Sequence, residues 1–419
     1  MTFRVILPLL ALFSAVLPAC ADAGNDSGTS DGSGASSSQN TGARSGFSHA
    51  GHGPVPPLAS GAAAGPGYNG VPAGGAGSTI LGTAPPGTWN SAKSAAVSEA
   101  LLQAEYATWK STHVEACANG SLIVVKDGAV VSQGIAYGML LSVAMADQSL
   151  FDGLWKFYQD HLDKNGLMNW TTSKCEAPGN NNTNAATDAD LDVTMVLIQA
   201  SARFPNATAG YLKKAEALAG KIVQFETDVC DGRRVLRPGD AYGGCSDPSA
   251  PRINPSYFSP GYYKVFAHYF SAQAASWLAL RDASYQLYAS YQARMGNLVP
   301  DWSRPDGSDF EGSSYWYDAC RTPWRVAVDY AWTGDTRAKT FMQNLSTWVD
   351  AHGGLPQAAQ QQNSAFVGAL ALAAGSDQAK FETYMNGWLG ANLDDGPYYQ
   401  ASLRLLYLLV AAGKFSSTL

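Results

Sequence analysis

Residues 184–192 read Asn184-Ala185-Ala186-Thr187-Asp188-Ala189-Asp190-Leu191-Asp192, and an apolar run follows, Val193-Thr194-Met195-Val196-Leu197-Ile198-Gln199-Ala200, closing at Phe204. The stretch opens a helix with three carboxylates spaced by two. In an extended approach they share one side, whereas in a first helical turn they fan around the N-terminus. Capping and the positive end of the helix dipole account for one aspartate at such a place. They account poorly for three, so at least one is expected to be functional.

Working outward, the apolar spacing from about residue 86 is helical, with few alternating runs long enough for strands. Val97, Leu101, Leu102, Tyr106 and Trp109 mark a first helix. Further helices are expected to begin near Gly134, Ser149, Asp190, Thr208, Pro260, Ala274, Thr322, Asp335, Asn363, Ser376 and Pro397, twelve in all. Some joints are tight, as at Ala146-Asp147-Gln148 and Thr333-Gly334-Asp335, which makes the flanking helices antiparallel. Others are long and rich in Gly, Asn, Asp and aromatics: 112–133, 164–188, 228–259, 298–321 and 390–396. This alternation suggests a ring of helical hairpins with its long loops on one face, where function is expected.

Composition narrows the chemistry. Of 419 residues 46% are hydrophobic and 15% charged, against a usual charged share of about 25%, so the chain has ample material for a core. A net charge of -7 excludes a partner bound by phosphate neutralisation, and nucleic acid with it. Eleven Trp, 20 Tyr and 15 Phe suit a flat neutral ligand gripped through aromatic faces, a carbohydrate among them, or simply an aromatic core.

The N-terminus has one basic residue, Arg4, an apolar run from Val5 to Leu17, and then Pro18-Ala19-Cys20. It reads as a signal peptide (1–20) too short to span a bilayer, ending in a lipobox-like sequence that would leave a lipid on Cys20; an ordinary signal peptide is the alternative. Residues 21–85 are Gly, Ser, Ala, Pro, Asn and Thr with only Phe47 and Tyr68 as aromatics, a flexible tether ahead of one domain over 86–419. The expectation is a secreted or envelope-anchored monomer whose only membrane contact is the N-terminal lipid. Among the remaining cysteines Cys230 and Cys245 flank a compact Gly/Pro/Asp-rich excursion and form the preferred disulfide, Cys117 with Cys175 the second, leaving Cys320 buried and free. No Cys/His spacing resembles a metal site, and neither metal nor cofactor is expected.

Two further segments draw attention. Tyr315-Trp316-Tyr317-Asp318-Ala319-Cys320-Arg321-Thr322-Pro323 sets one aspartate among aromatics with an arginine three residues on. This is either a carboxylate held near a sugar ring or a structural ion pair. Val131-Ser132-Gln133-Gly134-Ile135-Ala136-Tyr137-Gly138 frames a helix start with two glycines, locally explicable as close packing.

Together the three segments resemble glycoside hydrolase family 8, the endoglucanases, xylanases and chitosanases that invert anomeric configuration. Ala186 to Phe204 follows the family's strongest signature, and Asn254-Pro255-Ser256-Tyr257 through Tyr263 and Tyr398-Tyr399 through Arg404 resemble other family segments. The resemblance implies an all-α fold, an (α/α)6 barrel of helical hairpins, and a polysaccharide or oligosaccharide substrate, β-1,4-glucan first. It implies Asp318 as general base and Asp188 as the signature's active-site aspartate. Tyr317 and Arg321 would support the base, and Trp170, Tyr257 and Tyr399 would serve as sugar platforms or hydroxyl contacts. The family's general acid is a glutamate in a segment like Ser-Glu-Gly-x-x-Tyr-Gly; here Gln133 stands in its place. An amide can donate a hydrogen bond but delivers no proton. Three explanations stay open: a catalytically silent glycan-binding cleft, an inactivated variant, or another acid such as Asp309 or Glu311.

Overall fold

The computed structural model describes residues 89–177, 184–204 and 210–417. The signal-like segment with Cys20, the tether 21–85, the first residues of the expected domain and the expected helix start at Thr208 lie outside them.

Twelve α-helices run along the described chain: α1 (Glu99–His113), α2 (Ser132–Ala144), α3 (Gln148–Asp160), α4 (Thr187–Arg203), α5 (Tyr211–Phe225), α6 (Pro260–Tyr269), α7 (Ala274–Arg294), α8 (Thr322–Thr333), α9 (Thr336–Ala351), α10 (Ser364–Leu372), α11 (Gln378–Leu389) and α12 (Tyr398–Ala411). The even-numbered helices form a closed inner ring, α2 on α4, α4 on α6, α6 on α8, α8 on α10, α10 on α12, and α12 back on α2. Each odd-numbered helix packs outside one of them. This is an (α/α)6 barrel.

The two layers differ in sequence for a physical reason. A helix enclosed on all sides can be apolar all round, while one facing water keeps a stripe. All thirteen residues of α2 and all nine of α10 are buried. In α5 only Tyr211, Ala215, Leu218, Ala219 and Ile222 are buried, a single face at helical spacing. The glycines at the start of α2 permit close approach: a Cβ at Gly138 would lie 2.8 Å from both Leu154 and Val124, and one at Gly134 would lie 3.3 Å from the Tyr398 hydroxyl.

Every joint from an inner helix out to the next outer one is short, and every joint leading inward is long. The six inner helices therefore all begin at the same end of the barrel. The long joints carry three antiparallel ribbons: β1 (Val114–Ala116) with β2 (Leu122–Val124), β3 (Ala129–Val131) with β4 (Thr171–Ser173), and β5 (Thr227–Cys230) with β6 (Arg233–Leu236). Strands of three or four residues are too short to announce themselves by alternation. Disulfides join Cys117 to Cys175 and Cys230 to Cys245, and Cys320 is buried and free.

Candidate active site

Because α4 starts at Thr187, the three aspartates are already helical, and Ala186 occupies the cap position without a side-chain hydrogen bond. None of them is the cap. On a helix residues four apart share a face and residues two apart do not, so the three part company. Asp188 and Asp192 point to the same side, where each meets an arginine: Arg321 Nη1 donates to Asp188 Oδ2 at 2.8 Å, and Arg325 binds Asp192 through both terminal nitrogens at 2.5 and 2.8 Å. The two ion pairs are rungs one helical turn apart between α4 and the start of α8. Asp190 faces away and accepts from the Tyr158 hydroxyl at 2.5 Å.

The upper rung is the centre of the site. Arg321 bridges two carboxylates, reaching Asp318 Oδ1 through Nη2 at 2.5 Å, and the same nitrogen donates to Ser256 Oγ at 2.8 Å. Gln133, the second residue of α2, donates from Nε2 to Asp188 Oδ2 at 3.2 Å and accepts from the Tyr398 hydroxyl at 3.3 Å. Asp188, Arg321 and Asp318 are 1%, 0% and 2% exposed. At such depth a hydrogen-bonded network is needed to offset desolvation. Burial pushes the Asp318 carboxyl above the ordinary aspartate range, opposed by the Arg321 charge. Asp188 Oδ1 is buried with no protein hydrogen-bond partner among the described residues, an acceptor left for a ligand hydroxyl.

The remaining expected residues divide by exposure. Tyr257 is fully buried, its ring 5.2 Å below the Arg321 guanidinium. Tyr399 donates its hydroxyl to the Tyr317 carbonyl at 2.5 Å and so holds the turn that presents Asp318. Tyr317 is half-buried and accepts from Asn363 at 3.3 Å. Trp170 is half-buried, and its carbonyl accepts from the Ser132 amide at 2.9 Å, linking it directly to the residue before Gln133. The joint 352–363, not among the five expected long ones, supplies Asn363; lacking aromatics, it carried no signal.

The alternative acids lie elsewhere. Asp309 is 82% exposed and paired with Arg294 at 2.8 Å, and Glu311 is exposed. Another carboxyl of that loop, Asp301, acts on the turn that carries Asp318, and sequence reading missed it. Its Oδ1 accepts from the amides of Trp316 at 3.0 Å and Ala319 at 2.7 Å, clamping the Asp318 turn. Burial and the Asp318 charge raise its pKa to about 7. Ser256, Asn254 and Tyr398 were also missed as site residues. They sit inside segments whose aromatics drew the attention, and only the helix starts bring them together.

Residues 88–413 match the profile of the glycosyl hydrolases family 8. The chain belongs to that family. It is 35% identical over 352 residues to Endoglucanase A of Acetivibrio thermocellus, covering 76% of this chain and 70% of the relative. With Endoglucanase 2 of Ruminiclostridium josui the figures are 33% over 341 residues, 75% and 71%. The fold is similar to that of a beta-1,3-1,4-glucanase from Paenibacillus sp. X4, with TM-score 0.68 and 24% identity over 79% of this chain and 96% of that one. A family 8 barrel thus gathers Asp188, Arg321 and Asp318 on one network, with a glutamine at its edge.

Proposed function

We propose that this family 8 hydrolase is an inverting endo-glycosidase for β-1,4-linked glucan, and that Asp318 activates the attacking water. The observation that carries the reading is the Arg321 bridge between Asp188 and Asp318. It joins two buried carboxylates through one guanidinium, and a further polar group, Gln133, hydrogen-bonds Asp188 two side chains from Asp318. Inversion needs a base and a leaving-group donor separated by roughly 6.5–9.5 Å so that water fits between sugar and base. The path from Gln133 through Asp188 and Arg321 to Asp318 suits that separation. In this reading Asp188 holds a sugar hydroxyl with its free Oδ1, and Trp170 and Tyr317 line the cleft. Relatives bearing the name endoglucanase support glucan as the substrate class. The N-terminal Leu17-Pro18-Ala19-Cys20 supports export and anchoring through Cys20.

Gln133 favours a second reading, a cleft that binds glycan without cutting it, because general-acid assistance is worth about 10²–10⁴ in rate. A reducing-sugar assay beside a binding isotherm, on glucan, xylan and chitosan, separates the two. For the hydrolase, Asp318→Asn abolishes release of reducing ends while oligosaccharide affinity persists. Turnover retained in Asp318→Asn would move the base elsewhere, and affinity without turnover in the parent chain would leave only the binding reading.

A further inference from the structure

Two long joints meet beside Asp318. Ile253 and Ser303 exchange backbone hydrogen bonds at 2.8 and 3.1 Å. Their neighbours Asn254 and Trp302 lie beside the Asp318 carboxyl. On the other side of Ile253 stands Arg252. Its guanidinium lies 4.8 Å from the Trp302 ring centroid, 5.6 Å from that of Tyr242 and 5.9 Å from that of Phe310. The Trp302 indole thus stands between Arg252 and the neighbourhood of Asp318.

Arg252 differs from the two arginines of the buried ion-pair rungs. Arg321 and Arg325 are each neutralised by aspartate, at 2.5–2.8 Å. Arg252 is half-buried, has no carboxylate within 4 Å among the described residues, and its Nε is buried with no hydrogen-bond partner. Three aromatic rings stabilise the cation through its faces. Rings satisfy the faces of a guanidinium and leave its N–H edge, whose geometry matches a carboxylate bidentately. In a chain of net charge -7, an unpaired cation kept beside a sugar cleft has a use if the sugar is anionic.

We infer that Arg252 forms a subsite for a carboxylate carried on the glycan, so that the cleft prefers β-1,4-glucan bearing acidic units over the neutral polymer. The inference rests on the cleft reading given above. Arg252 recognises the acidic group, and Tyr242, Trp302 and Phe310 hold the guanidinium planar against the loop.

The test is calorimetric titration of the full chain with a neutral cello-oligosaccharide and with the same oligosaccharide oxidised to carboxylate at C6, at low and high salt. The acidic ligand is expected to bind about tenfold tighter or more, as a charge-assisted pair implies. The preference should shrink as salt screens it. Arg252→Met should lose the preference and Arg252→Lys should retain part of it. Equal affinity for the two ligands in the parent chain overturns the subsite, as does a preference that survives in Arg252→Met. Should Arg252→Met fail to fold, a parent-chain preference indifferent to salt overturns it equally. A parent chain that binds neither ligand overturns the cleft reading itself, and is distinct from one that binds both alike.

Discussion

Gln133 is held as a general acid would be held. It is 6% exposed, its amide donates to Asp188 and its carbonyl accepts from Tyr398. A glutamic acid of the same shape could make the same two contacts while protonated, donating to Asp188. Once ionised it would face that carboxylate, and like charge raises a carboxyl pKa, which keeps a proton available near neutrality. Gln133→Glu is therefore expected to raise hydrolysis of an unactivated β-1,4-glucan by about 10²–10⁴. An aryl glycoside with a good leaving group should gain much less, because its departure needs little protonation. Initial rates on both substrates check this, and equal parent and variant rates on the polymer would mean that another residue supplies the proton. At this scale the sequence was legible in part. Asp188, Asp318 and Arg321 stand in compact motifs, but which of three aspartates enters the site depends on the helix having begun by Thr187. Asp301 reaches the Asp318 turn from 15 to 18 residues away in the same joint, and Asn254 comes near it through the Ile253–Ser303 bridge between distant joints; no local pattern announces either pairing.

The helices were more legible than their arrangement, since apolar spacing is local and ring closure is not. Expected starts such as Pro260, Ala274 and Thr322 coincide with those of α6, α7 and α8. The closing contact of α12 on α2 joins opposite ends of the domain. Tolerance at small residues depends on what the helix face meets, and two glycines on outer helices make opposite predictions. A Cβ at Gly153 in α3 would meet three Leu122 side-chain carbons at 2.5–2.9 Å. Overpacking there is expected to cost about 1–3 kcal/mol and to outweigh the gain of about 1 kcal/mol from replacing a mid-helix glycine. At Gly220 in α5 the nearest atom is Gln273 Nε2 at 3.6 Å, ordinary contact. Gly220→Ala should stabilise by roughly 0.5–1 kcal/mol. Urea unfolding midpoints moving in opposite directions for the two variants are the expected result. A stabilised Gly153→Ala would mean that β2 yields easily against α3.

Across the domain, one group of carboxyls stands without an ion pair among the described residues. The loop at 163–167, the start of α4, the end of α5 and the segment around Asp240 meet at four carboxyls: Asp163, Asp190, Glu226 and Asp240. Asp163 accepts from the amides of Asn165 and Leu167, and Asp240 from the Asn165 side chain and the Ala185 amide. The Tyr158 hydroxyl serves Asp190, both Glu226 side-chain oxygens are buried without a hydrogen-bond partner among the described residues, and Lys221 is turned to the Gly166 carbonyl. Burial first, and then mutual repulsion, raises Asp163 to about 6, Asp190 to about 8 and Glu226 well above its ordinary value. The folded state therefore binds protons more tightly than the unfolded chain, in which these groups titrate near about 4. Stability follows the difference in bound protons, so this contribution is whole below about pH 4 and is lost as pH rises through the folded-state values toward about 8 and above. The midpoint of thermal unfolding is expected to fall steadily from pH 5 to pH 9. Glu226→Gln, which keeps the shape but removes one ionisation, should flatten that fall and leave the variant more stable than the parent at pH 8 to 9. Calorimetry at closely spaced pH values distinguishes this from general charge repulsion in an acidic chain, which would give parent and variant the same slope. Parallel curves would show that the cluster discharges its repulsion by another route.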